Sequence, residues 1–402
     1  MVSSNTPTLF AFGSNGSGQL GLGHTEDVSV PTRCIFEEDD PSFSPSHSSE
    51  QLESQLQRIS SPRVSRIVAG GNHTLVLLED GRVYAAGEGG DGRCSGVNVG
   101  SLGGDMGAGG FRRVIVQDTH SDTLFGVFKG VSATWEGTIL VTSSQKEKEI
   151  WKGDKVFVLG SGAKGELGLG PGAENTSATT AVRITDFPPA GTKVVCVASG
   201  MGHTVVVLSS GEVFGWGGAR KGQLGDNLVG KKIVWKPTRV EGLPFRVTAA
   251  TCGREFTVLS GDREKGEFIV LGSVGDKWGI LSGTPGFEEV KGYLSINASW
   301  HGVYVQQRNG SVLAWGRDDR GQLPEQNLRV VKEVAVGSEH VVALLEDRSV
   351  VAWGWGEHGN CGPETDAQGN VRGVGGRILL PEEGFEVVGV GAGCATSWII
   401  AS

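Results

Sequence analysis

Residues Val197–Gly225 read VASGMGHTVVVLSSGEVFGWGGARKGQLG, and this arrangement returns along the chain. It stands as VAGGNHTLVLLEDGRVYAAGEGGDGRCS from Val68, INASWHGVYVQQRNGSVLAWGRDDRGQLP from Ile296 and VAVGSEHVVALLEDRSVVAWGWGEHGNCG from Val334. Aligned positions Gly70, Gly200, Ser299 and Gly337 are each followed, 17 residues later, by Gly87, Gly217, Gly316 and Gly354. Two further copies carry insertions, from Thr134 to Gly160 (26 residues) and from Gly253 to Gly272 (19 residues). A half copy, VGVGAGCATSWIIAS, aligned at Gly391, stands at the end, and its complement TLFAFGSNGSGQLGLG starts at Thr8. Self-similarity at such a period marks stacked supersecondary units, each unable to bury its apolar face alone.

Within a copy, His203-Thr-Val-Val-Val-Leu reads as a strand, Ser210-Gly211 as a hairpin turn and Glu212-Val-Phe-Gly-Trp as the next strand. Glu79-Asp80-Gly81 and Arg308-Asn309-Gly310 occupy the same turn, where Gly or Asn tolerates positive φ. Units of roughly 50 residues with four short strands each are β-propeller blades. Six whole copies and one split copy predict an all-β fold, a single seven-bladed propeller spanning residues 1–402. Strands from the N- and C-terminal regions would complete one blade and leave no open edge. Strand-ending glycines recur at Gly13, Gly87, Gly160, Gly217, Gly272, Gly316 and Gly354. Six residues beyond each stands Gln19, Arg93, Glu166, Gln223, Trp278, Gln322 or Asn360.

Composition agrees. Glycine is 66 of 402 residues, about 16% against an ordinary usage of roughly 7%, without a collagen period. No apolar run approaches the ~20 residues of a membrane helix, and the first residues lack the pattern of a secretory signal. A net charge of −9 argues against a nucleic-acid surface as the main role. Six cysteines without a C-x-x-C pair are expected to be free thiols of a reducing compartment, with a cytoplasmic and possible nuclear location.

The motif G-x-x-x-x-G-Q-L-G, as in Gly13–Gly21, preceded elsewhere by Val197-Ala-Ser-Gly-Met-Gly-His-Thr204, resembles the regulator of chromosome condensation repeat, a family of seven-bladed propellers. The resemblance covers residues 8–402 apart from insertions. FAFGSNGSGQLGLGHTEDVSVPT (Phe10–Thr32) is similar to the fungal alpha-tubulin suppressor branch of that family. That likeness implies an adaptor without cofactor or metal of its own. Its partner would be a small CSL-type zinc- or iron-binding protein of diphthamide synthesis. The heterodimer would support diphthamide formation on elongation factor two and, indirectly, Elongator-dependent wobble-uridine modification of tRNA. The family implies an alternative as well, a guanine-nucleotide exchange factor for a Ran-like small GTPase. The absence of a basic tail weighs against it.

Three insertions interrupt the repeats. Residues 36–63 are acidic and Ser/Pro-rich, residues 96–110 form a Gly-rich linker, and residues 143–155 are a charged stretch read as a long hairpin projecting from the rim. In exchange-factor relatives a projecting wing engages the GTPase, which gives the third insertion a second reading.

Candidate chemistry is sparse. Gly217–Gly222 has phosphate-loop spacing, but Gln223-Leu224 replaces the Lys-Ser/Thr that would hold phosphate and magnesium. His73, His203 and His340 share a position where other copies have Gly137, Phe256, Gly302 and Cys394, so they read as packing residues rather than metal ligands. Cys94 and Cys361 stand where other copies have Leu. No nucleophile elbow and no recurrent carboxylate pair is present, so no enzyme activity is expected.

The two-residue tip before the His position stands out instead. It reads Gly71-Asn72, Trp135-Glu136, Met201-Gly202, Arg254-Glu255, Trp300-His301, Ser338-Glu339 and Ala392-Gly393. A propeller gathers such loops on one face, and Trp, Met and Arg are residue types that anchor protein interfaces. The predicted partner-binding set is Trp135, Glu136, Met201, Arg254, Glu255, Trp278, Trp300, His301 and Glu339. The two tip tryptophans admit another reading, folded inward as a plug of the central channel. Trp216, Trp315 and Trp353 are expected in the core.

Overall fold

In the computed structural model, the described residues are 6–37, 62–95, 109–118, 120–142, 146–147, 150–151, 153–173, 177–325, 328 and 330–402. Most of the acidic insertion (38–61) and of the Gly-rich linker (96–108) lies outside them.

Seven antiparallel sheets form the ring. Blade 3 is representative, with Val194–Ser199, His203–Leu208, Val213–Gly218 and Ile233–Val240 in order from the axis outward. Its second strand, HTVVVL, is buried at every position, because a middle strand is covered by the neighbouring blade on both faces and reads as a continuous apolar run. Outer strands are only partly covered, and in Ser177–Arg183 of blade 2 only Ala178 and Ala181 are buried. The innermost strands Val64–Ala69, Gly130–Ala133, Val194–Ser199, Ala249–Cys252, Ser295–Ala298, Val331–Val336 and Val387–Ala392 pack on one another in that order, and the last packs back on the first. The circle therefore closes.

The split blade joins the two halves predicted from sequence. Thr8–Gly13 pairs with Thr396–Ala401 in unbroken register, Phe10 opposite Ile399. Val28–Arg33 and Val387–Ala392 complete the sheet on either side. Core side chains interleave between adjacent blades. Trp216, Trp353, Trp398, Phe10 and Phe157 are fully buried, and Trp315 is 7% exposed.

Two expectations need correction. Among the described residues, blades 4 and 5 have three strands rather than four. After the third strand of blade 4, the chain runs through GSVGDKWGILSGTPG into a short helix, Phe287–Val290, whose Val290 fills the space beside Tyr293. In blade 5 only residues 317–330 separate the third strand from the next blade. That is too short to make the outer turn and return as a strand. The charged insertion does form a hairpin, with Lys146–Glu147 pairing Ile150–Trp151. It joins the second and third strands of blade 2, so it leaves the blade at the end opposite the tip loops rather than sideways at the rim.

Candidate functional site

The tip face is built by one device used seven times. The residue after each strand-end glycine donates its N–H to the carbonyl of the second tip residue. Examples are Glu88 to Asn72 at 2.8 Å, Gly218 to Gly202 at 2.7 Å and Arg317 to His301 at 2.9 Å. The glycines hold φ between 93° and 123°. A Cβ there would lie 2.1–2.6 Å from that same oxygen, so only glycine lets the strand pass beneath the tip.

This geometry corrects the register of the closing half copy. Ser14 donates to Ala395, Gly393 donates to Thr396 as Gly70 does to His73, and Gly13 pairs with Thr396. The last tip is thus Cys394-Ala395, and Thr396, not Cys394, holds the His position. Neighbouring tips are stitched by backbone bonds into two arcs. Gly71 donates to Trp135 and Trp135 to Met201 (both 2.9 Å); Arg254 donates to Trp300 (3.1 Å), Trp300 to Ser338 and Ser338 to Gly393 (both 2.9 Å).

Beneath the tips, the three repeat histidines latch one blade to the next. Nε2 of His73, His203 and His340 meets the hydroxyls of Thr138, Thr257 and Ser397 at 3.0, 2.9 and 2.9 Å. Those hydroxyls donate in turn to the carbonyls of Arg93, Gln223 and Asn360 at 2.7, 2.8 and 2.7 Å. Each hydroxyl's one hydrogen is spent, so Nε2–H is the donor to it. Burial lowers the pKa of His73 to about 3 and of His203 and His340 to about 4, keeping the rings neutral. Trp216 and Trp353 use their indole N–H the same way, on the carbonyls of Glu166 and Gln322 at 2.8 and 3.0 Å. Burial pushes the Cys94 and Cys361 thiols far up, as expected of small core side chains.

The predicted partner residues fall into two joined groups. Over the axis, Trp135 and Trp300, half-buried, come from blades 2 and 5 and touch with ring centres 5.7 Å apart at 47°. They roof the central channel, whose wall also includes Met201. Trp135 lies on Gly71, where a Cβ would approach the indole to 2.6 Å. The exposed Arg254 stacks on Trp300 at 5.4 Å. The second group begins next door, where Trp278 packs 6.0 Å from the His301 ring, between Lys277 Nζ at 4.4 Å and the Arg317 guanidinium at 4.7 Å. His301 Nδ1 lies 2.6 Å from Glu339 Oε1, which also accepts from Arg317 at 3.1 Å, while Gln322 donates to Oε2 at 2.9 Å. Burial alone would raise the pKa of Glu339; the bonds from His301 and Gln322, with the charges of His301 and Arg317, outweigh it and hold the carboxyl below its ordinary value. Glu136 and Glu255 are exposed, and Glu255 sits 3.8 Å from Lys221 Nζ, apart from this cluster.

Arg317, Arg320 and Trp355 belong to the same surface and were missed from sequence. The Arg320 guanidinium lies 5.1 Å over Trp355. A signal existed, because Arg317 and Trp355 immediately follow strand-end glycines where other blades have Ser14, Glu88, Ser161, Gly218 and Ser273. Among the described residues no group of three or more His, Cys, Asp or Glu is placed to hold a metal, and no helix is long and apolar enough to cross a membrane.

A closed ring of seven blades with a stitched tip face defines a β-propeller of the repeat-built kind. Profiles of the regulator of chromosome condensation (RCC1) repeat match residues 8–77 and 210–260, and in a second form residues 64–93, 194–223 and 331–360. Along these segments the chain carries repeats of the RCC1 type. It is 29% identical to the RCC1 repeat-containing protein C10F6.04 of Schizosaccharomyces pombe over 98% of both chains. It is 28% identical to the secretion-regulating guanine nucleotide exchange factor of Mus musculus, over 89% of this chain and 76% of that one. Human WBSCR16 (TM-score 0.69, 18% identity, 98% of this chain and 100% of that) and Prp20p of Saccharomyces cerevisiae (TM-score 0.68, 18% identity, 100% and 93%) share the fold.

Proposed function

We propose that this propeller is a non-catalytic adaptor whose tip face docks a small folded protein. The observation that carries the reading is the joined cluster of Trp300, Trp278, His301, Arg254 and Glu339. Its aromatic and charged side chains are fixed by one another before any partner arrives, so little side-chain freedom is left to lose on binding. The likeness of Phe10–Thr32 to the alpha-tubulin suppressor branch suggests the partner: a CSL-type metal-binding protein of diphthamide synthesis, with Elongator-dependent tRNA modification downstream.

A second reading, nucleotide exchange on a Ran-like GTPase, is favoured by the mouse and bovine relatives that bear the name of exchange factor. One titration separates them, using a purified CSL-type protein and a Ran-type GTPase loaded with fluorescent GDP. Tight binding of the first without nucleotide release supports the adaptor; accelerated release from the second supports exchange. Failure of both to bind overturns the docking reading. Trp300→Ala should cost about 2 kcal/mol of affinity for whichever partner binds.

A further inference from the structure

A line of cation–aromatic contacts crosses the tip face from the axis toward blade 6. Arg254 lies on Trp300, Lys277 and Arg317 on Trp278, and Arg320 on Trp355. The carboxylates along it already have internal partners. Asp319 takes Nε and Nη2 of Arg317 at 2.6 and 2.8 Å, and Asp276 takes the backbone N–H groups of Leu281 and Ser282, both at 2.8 Å. Glu357 accepts the Trp355 indole N–H at 3.0 Å, and Glu339 is held as described above. Among the described residues, the charged heads of Arg254, Lys277 and Arg320 lie on indole faces and form no ion pair, although the charge of Arg320 also acts on Asp319. A cation seated on an indole keeps its N–H donors for other acceptors.

We propose that this strip recognises an acidic segment of a protein partner, with carboxylates taking the N–H groups of Arg254, Lys277 and Arg320 while adjoining apolar atoms lie against the indoles. The inference rests on the tip face being the docking surface and names the chemistry it selects. The occupant follows from charge. The chain carries −9 overall, which repels an extended polyanion such as a nucleic acid. A short acidic segment needs only the local field, because charges more than about 10 Å away are largely screened at ordinary salt.

The test uses fluorescence anisotropy with a labelled dodecapeptide of alternating Glu and Gly, its Lys–Gly counterpart and a twelve-nucleotide oligo(dT). It compares wild type with Arg254→Glu/Lys277→Glu/Arg320→Glu and with a control reversal, Lys231→Glu/Lys232→Glu/Lys236→Glu, on blade 3. The acidic peptide should bind at low salt, weaken about tenfold in the tip variant and hold in the control. No binding of the acidic peptide, equal loss in both variants, or tighter binding of oligo(dT) overturns the inference. The partner titration tells the two levels apart. If Trp300→Ala loses the partner and the tip reversal does not, docking stands and acidic recognition falls. If neither variant matters, the docking reading itself falls.

Discussion

Thr257→Val tests the latch that holds blade 4 to blade 3. Thr257 is fully buried, and its hydroxyl bridges His203 Nε2 and the Gln223 carbonyl at 2.9 and 2.8 Å. Valine has nearly the same shape, so the substitution makes no cavity; it removes the acceptor from one buried group and the donor from another. His203 Nδ1 already lacks a partner, so the ring would be left with only its contact to the Phe256 backbone. Each buried polar group left unsatisfied costs about 1–3 kcal/mol, giving about 2–6 kcal/mol for the two. With an unfolding entropy of about 2.1 cal/mol/K per residue, a loss of about 3 kcal/mol lowers Tm by about 4 °C for a cooperative chain of this length. Calorimetry beside urea titration measures it, with Thr257→Ser as the variant that keeps the hydroxyl. If Thr257→Val is as stable as Thr257→Ser, the latch holds nothing together.

Acid should loosen the same latches. The native histidines refuse the proton that the unfolded chain accepts, so stability is full above pH 6.5 and falls as pH drops toward about 4, by about 3 kcal/mol for each of His203 and His340. His203→Phe, copying Phe256 of blade 4, should flatten that fall, and stability measured against pH reads the change. Gly71→Val should push Trp135 off its seat and shift tryptophan emission with a loss of about 1–3 kcal/mol, whereas Gly16→Ala, with nothing within 4 Å, should be silent. Phe10→Ala, in the strand nearest the N-terminus, should cost about 3–5 kcal/mol in a melt; a neutral result would contradict the split blade.

The ring was legible because its cause is periodic. Glycine at the strand end is forced by the tip carbonyl above it, so it recurs at every blade and counts the blades. The closing tip was misplaced by two residues because Gly389, Gly391 and Gly393 offer three equivalent registers in sequence. Only the pairing of Thr396 with Gly13 selects one. The missing fourth strands of blades 4 and 5 left a trace in short spacers, but a four-stranded template hides it. The latches were half legible. The histidines repeat, but their acceptors, the carbonyls of Arg93, Gln223 and Asn360, are backbone and carry no sequence signature. The tip cluster joins residues from blades 4, 5 and 6, and no spacing rule along the chain brings Trp278, His301 and Glu339 together.

Hydrogen–deuterium exchange of the complex with whichever partner binds tests the central claim most directly. Docking on the tip face predicts slowed exchange at residues 253–256, 299–302 and 337–340, with the hairpin turns on the opposite face, at 79–81, 210–211 and 308–310, unchanged. Slowing confined to those opposite turns would place the partner on the wrong side of the ring and contradict the account.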